Sequence, residues 1–171
     1  MVLTRYQEWA SASRYVGEAS VFAIDAVNGL GLIDEQLVGK EAEVMVQFQG
    51  ISGPIDTPIS LELRTLSHLW VLGAYEVVRV LSNWTRRDAT ISFGALSPQL
   101  VELKHRFERL RIPLAKQEVA RRHKDTDSPF AFPILLAGYG VAWRVSDTTI
   151  ISRRELADGF LVLLKKAGCG T

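Results

Sequence analysis

One cysteine, Cys169, is all the thiol this 171-residue chain possesses. An intrachain disulfide, a zinc site built on cysteines and a paired redox motif are thereby excluded, and the composition suits a reducing compartment. A long uninterrupted apolar run is missing too. The strongest, around Leu69–Leu81, is broken by Glu76 and Arg79 and is too short for a hydrocarbon layer of about 30 Å, so it reads as a buried helix and not as a membrane span. The opening residues Met1-Val2-Leu3-Thr4-Arg5-Tyr6-Gln7-Glu8 turn polar at once, without a basic segment leading into an apolar one. The expectation is a cytoplasmic protein without a secretory leader. Internal repeats, low-complexity tracts and proline- or serine-rich linkers are also lacking, which makes residues 1–171 one expected domain.

What is present is enough to fold. With 47% hydrophobic residues, the chain can bury a continuous core without staples. The net charge of +1 hides an uneven distribution: residues 1–80 carry 5 basic and 10 acidic groups, residues 81–124 carry 10 and 4, and residues 125–171 carry 5 and 5. A basic middle third either faces an anionic ligand or is compensated by the acidic N-terminal part, and compensation is the plainer expectation.

Hydrophobic periodicity sets out the elements. Trp9, Val16, Ala19, Ala23 and Val27 predict a helix over about residues 4–28 with Gly29 as its cap. Residues 34–49 fit two patterns, a strand through Val44, Val46 and Phe48 or a helical stripe through Leu37, Glu41, Val44, Phe48 and Ile51. After the loop Gly50–Asp56, Thr57 is placed to cap a long central helix, with Pro58 at its first position and Ile59, Leu63, Leu66, Trp70, Gly73, Val77, Val80 and Trp84 along one face. Ser97 and Pro98 announce another helix, carrying Leu100, Leu103, Phe107, Leu110 and Leu114, which Pro113 should end or kink. Phe130–Leu136, a Gly138-Tyr139-Gly140 turn and Val141–Val145 predict a hairpin, and Thr148–Ile151 a third strand. Ser152-Arg153-Arg154-Glu155 is a capping box opening a last helix through Leu164. The fold class expected is therefore α+β, helix-rich, with a long central helix and a small antiparallel sheet near the C-terminus.

Familiar catalytic signatures are lacking: no Walker-type phosphate loop, no G-x-S-x-G elbow and no H-E-x-x-H zinc helix. Gly29-Leu30-Gly31 has neither the third glycine nor the preceding strand of a dinucleotide fingerprint. Arg64 and His68 stand too close for the arginine–histidine signature of the all-helical HEPN ribonucleases, and no arginine stands at the required distance before His105 or His123.

Three constellations remain. On the central helix Arg64, His68, Tyr75 and Arg79, with Glu76 beside them, form a polar stripe. It suits acid–base chemistry or anion binding, or equally an ordinary solvated face with Glu76 paired to Arg79. In Arg121-Arg122-His123-Lys124-Asp125-Thr126-Asp127, an extended backbone would turn His123, Asp125 and Asp127 to one side, where they could hold a divalent metal with Arg121 and Arg122 free for a phosphate. A charged turn between elements is the ordinary alternative. Lys104, Arg106, Arg109, Arg111, Lys116, Arg121, Arg122 and Lys124 make a basic segment that suits a phosphate backbone, although Glu102, Glu108 and Glu118 interleave with it.

No catalytic residue, metal or cofactor is singled out. The reading is of a small protein acting by self-association, as a homo-oligomer, or by binding a protein partner, because long apolar stripes and four tryptophans exceed what a thin helical layer buries alone. Its alternatives are a metal- or phosphate-dependent enzyme on the His123–Asp127 loop and a nucleic-acid binder on residues 104–124.

Overall fold

The computed structural model describes residues 2–17, 21–47, 58–88 and 93–169. Among them the chain forms α1 (Arg5–Ser13), α2 (Val21–Gln47), α3 (Pro58–Arg87), α4 (Ser97–Lys116), β1 (Phe132–Leu136), β2 (Gly140–Ser146), β3 (Thr149–Ser152) and α5 (Arg153–Cys169), with single 3-10 turns at Arg14–Val16, Gly94–Leu96 and Arg121–His123. Among the described residues this is the expected helix-rich α+β arrangement, with a small sheet near the C-terminus. No described helix is long and apolar enough to cross a membrane.

The helix expected over residues 4–28 is divided. A capping box at Thr4, whose hydroxyl accepts from the Gln7 amide at 3.2 Å while the Gln7 side chain accepts from the Thr4 amide at 2.9 Å, opens α1. Gly29 then ends nothing: α2 runs through it and through Gly31 and absorbs described residues 34–47, so the helical stripe prevails over the strand. Gly31 is needed for contact, because a Cβ there would stand 2.3 Å from that of Trp9. The repeating buried positions of α2 are Val27, Leu30, Asp34, Leu37, Glu41 and Val44, a three-and-four spacing in which two carboxylates take core places.

Pro58 is the first residue of α3, as its fixed φ favours, whereas the expected Thr57 cap and the Gly50–Asp56 loop lie outside the described residues. Ser97 makes no cap: α4 begins at it, and its hydroxyl meets Thr85 Oγ1 at 3.4 Å. Pro113 sits in the last turn of α4, which closes at Gln117 in a left-handed conformation with φ 56°. The hairpin and third strand form an antiparallel sheet in the order β1-β2-β3. Leu135, Val141, Trp143 and Ile151 are buried on its inner face, and the register aligns Phe132, Arg144 and Ile150 on the outer one. Ser152 and Glu155 complete the expected box at the start of α5, with the Glu155 carboxylate accepting from the Ser152 amide at 3.2 Å.

One cluster of buried side chains draws on every α-helix and on the sheet. Its aromatic centre is Trp9 edge-on to Trp70 at 6.4 Å and to Phe160 at 5.5 Å, with Trp70 beside Phe107 at 6.3 Å. Trp9, Trp70 and Trp143 are buried and Trp84 packs against the cluster, so tryptophans do not oversupply the fold.

Candidate anion-binding cleft

The polar stripe of α3 disperses. Arg79 pairs with Glu76 at 2.7 Å in the open, while Tyr75 is buried, donates its hydroxyl to Glu108 at 3.2 Å and carries the Arg111 guanidinium over its ring at 5.1 Å. Burial and the neighbouring Glu108 raise the Tyr75 phenol above its ordinary range. Arg64 borders a small apolar recess with Val44, Leu63 and Leu135. His68 is half-buried, its Nε2 has no hydrogen-bond partner among the described residues, and burial lowers its pKa. These four groups share no common centre.

The loop after α4 departs from the extended form that would have aligned His123, Asp125 and Asp127. It is a 3-10 turn over residues 121–123, and the His123 carbonyl accepts the amides of Thr126 and Asp127 at 3.1 and 3.0 Å. Asp127 accepts both arms of Arg109, at 2.7 and 2.8 Å, and Thr126 Oγ1 at 3.0 Å, whereas Asp125 is exposed. Burial would raise the Asp127 pKa, but the hydrogen bonds from Arg109 and Thr126 and the charges of Arg109 and His123 outweigh it and hold the carboxyl below its usual value. Among the described residues no group of three or more His, Cys, Asp or Glu side chains comes together to hold a metal.

What the loop does build is a cleft. The left-handed turn at Gln117 reverses the chain, so that Ala120–His123 returns alongside α4 and faces Lys104, His105, Glu108, Arg109 and Ile112 across a space of about 340 Å³. The α4 members recur at one and four residues and therefore share a face. Lys104, Arg109, Arg121 and Arg122 bring permanent positive charge, against one lining carboxylate, Glu108, which Lys104 meets at 3.3 Å. Arg109 is held by Asp127 and by Thr149 Oγ1 at 3.1 Å, and so forms a fixed wall. Arg121 and Arg122 are exposed and make no ion pair among the described residues. Of the sequence candidates, Arg121, Arg122 and His123 thus meet in one place with Lys104, His105 and Arg109, while Arg64 lies at the other recess.

A second cluster, not singled out from the sequence, is buried between α1, α2 and α5. Arg153, fully buried, donates to Glu41 through Nη2 at 3.0 Å to both oxygens and through Nε at 3.2 Å, and it also pairs with Asp34. Asp34 further accepts Trp9 Nε1 at 2.8 Å and Arg5 Nε at 2.5 Å, and Glu41 accepts Arg154 Nη2 at 2.6 Å and the Val141 amide at 3.4 Å. Three cations answer two carboxylates, and the Arg153 guanidinium lies 5.5 Å from the Trp70 ring centre. The signal was the two acids within the apolar stripe of α2. With both carboxylates so fully partnered, the cluster reads as a structural tie.

Comparison with protein-family models, with curated proteins and with solved structures finds no match to this chain. The class it belongs to is therefore stated by its own architecture: a helix-rich α+β protein with a cationic cleft beside a three-stranded sheet.

Proposed function

We propose that the chain is a binding protein for phosphate-bearing polyanions, which it takes up in the cleft between α4 and the Arg121–His123 turn. The observation that carries this reading is the pair Arg121 and Arg122, unpartnered among the described residues and set opposite Lys104 and His105 across a cleft with one lining carboxylate. Arginine presents several donors in a planar fork suited to phosphate oxygens, and clustered cations gain affinity by releasing counterions. An enzyme centred on His123, Asp125 and Asp127 draws less support, since Asp127 is occupied by Arg109. The test is binding of long-chain inorganic polyphosphate at several salt concentrations. Affinity is expected to fall steeply with salt, and Arg121→Ala with Arg122→Ala to weaken binding and flatten that dependence by close to one unit of log–log slope per lost phosphate contact. Binding indifferent to salt, or unchanged in the double variant, would overturn the proposal.

Self-association is a second reading, favoured by the outer side of the α2–α3 pair. There Leu32, Ile33 and Leu69 are exposed, and Ala26, Val77, Val80 and Trp84 line an apolar groove of about 320 Å³. A second copy is the expected occupant, since a two-fold contact uses one patch twice. Leu69→Glu should then shift the mass measured by light scattering from dimer to monomer; a wild-type chain that stays monomeric at high concentration removes this reading.

A further inference from the structure

The outer face of the sheet combines features that the cleft alone does not explain. Phe132, Arg144 and Ile150 lie directly opposite one another across the three strands, at the spacing where side chains on neighbouring strands touch. Phe132 is 56% exposed, Ile150 39%, and Phe130, just ahead of β1, 51%. Arg144 is exposed and its side chain has no hydrogen bond or ion pair among the described residues. An aromatic side chain that gives so much of its area to water next to an unpaired guanidinium marks a surface made to be covered.

This face is joined to the cleft by a short path. Arg109, on the cleft wall, grips Asp127; the next residue, Ser128, donates its amide to the carbonyl of Val145 at 2.7 Å; and Val145 adjoins Arg144. Arg109 also donates to Thr149 Oγ1, next to Ile150 in β3, so the cleft wall is tied to the end of the sheet that carries Arg144 and Ile150. An alternation of cations and aromatic faces along one route is the pattern that single-stranded nucleic acid requires, phosphates on the cations and unstacked bases on the rings. A duplex offers no free base faces, and inorganic polyanions have none to offer.

We propose that the exposed sheet face, with Phe130, Phe132 and Arg144, is a base-stacking platform, and that the cleft and this face together bind single-stranded nucleic acid. The inference rests on the anion-binding reading of the cleft and names its ligand class. In this arrangement Arg121 and Arg122 supply most of the electrostatic affinity without regard to sequence, and the platform supplies the preference for strands whose bases are free.

The deciding experiment measures binding of the full chain to three labelled probes: an oligothymidylate of about ten nucleotides, an abasic strand of the same length, and a blunt duplex. The oligothymidylate is expected to bind at least about fivefold more tightly than the abasic strand, the lower end of what stacking one base contributes. Phe130→Ala with Phe132→Ala should abolish that difference while leaving abasic binding and its salt slope unchanged. Arg144→Ala, a milder change on the same face, should reduce it in part. Arg121→Ala with Arg122→Ala should weaken all three probes. Equal affinity for thymidylate and abasic strands, tighter binding of the duplex, or a preference that survives loss of both phenylalanines would overturn the platform and leave the cleft standing. No binding of any probe would overturn the platform, and with absence of polyphosphate binding the cleft as well.

Discussion

A Cβ at Gly140 would lie 2.1 Å from the carboxyl carbon of Glu41, on a backbone whose φ is already +69°. Gly138, two residues earlier, has a similar φ of +76° but open space around it. Alanine at Gly138 should therefore cost only the backbone strain, on the order of 1–3 kcal/mol, whereas alanine at Gly140 should cost clearly more, because it also pushes Glu41 away from Arg153. Denaturant midpoints of the two variants measure the difference, and equal midpoints would show that Glu41 moves aside freely. Two titrating groups act in separate pH windows. His68 has its pKa lowered by burial from the ordinary 6.5, so the neutral form is favoured in the fold; its contribution is complete above that value and is lost as pH falls through the lowered one. Asp127, held below the ordinary 3.8, behaves alike in the carboxylate range: its contribution is present above 3.8 and disappears as pH falls through the depressed value. Melting temperatures followed with pH should show His68→Gln flattening the upper loss and Asp127→Asn the lower one.

Two serines show where element-level signals succeed and where they mislead. Ser152 and Glu155 form a working box at the start of α5, and Ser152→Ala is expected to cost about 1 kcal/mol. Ser97, announced as a helix start only by the proline after it, caps nothing, so Ser97→Ala should shift the unfolding midpoint by much less. The hairpin, the Pro58 start of α3 and the α5 box were legible because turn and cap chemistry is written within four residues. The continuity of α2 was not, since Gly29 and Gly31 look like punctuation until Trp9 is seen to lie against Gly31. The cleft was half legible. Arg121, Arg122 and His123 stood out as a charged run, but their meeting with α4 depends on a left-handed Gln117, a conformation that glutamine does not announce, and on the grip of Arg109 on Asp127 across 18 residues. Asp34 and Glu41 were written in the helical stripe, yet an acid in a core position names no partner, and theirs is more than 110 residues away.

Taken whole, the molecule joins its first and last helices through charge. Arg5 reaches Asp34 and also Asp158 on α5 at 2.7 Å, and Arg153 closes on Asp34 and Glu41. Removing the guanidinium leaves two carboxylates buried without their main partner, so Arg153→Met should destabilise by about 3–5 kcal/mol, readable by equilibrium denaturation. A loss under 1 kcal/mol would mean that water reaches the site. This wiring also sets an order of events during synthesis. A ribosome releases Asp34 and Glu41 long before Arg153, and until then Asp34 has only Arg5 and Trp9 to answer it while Glu41 lacks both of its arginines. The burial of Glu41 is therefore expected to wait for α5, which acts as a closing signal delivered late. Nascent chains arrested before Arg153 should be cut readily by protease within α2, and chains arrested far enough beyond Cys169 for α5 to clear the exit tunnel should resist. Protection of the shorter chains would show that the two acids find other compensation on the way.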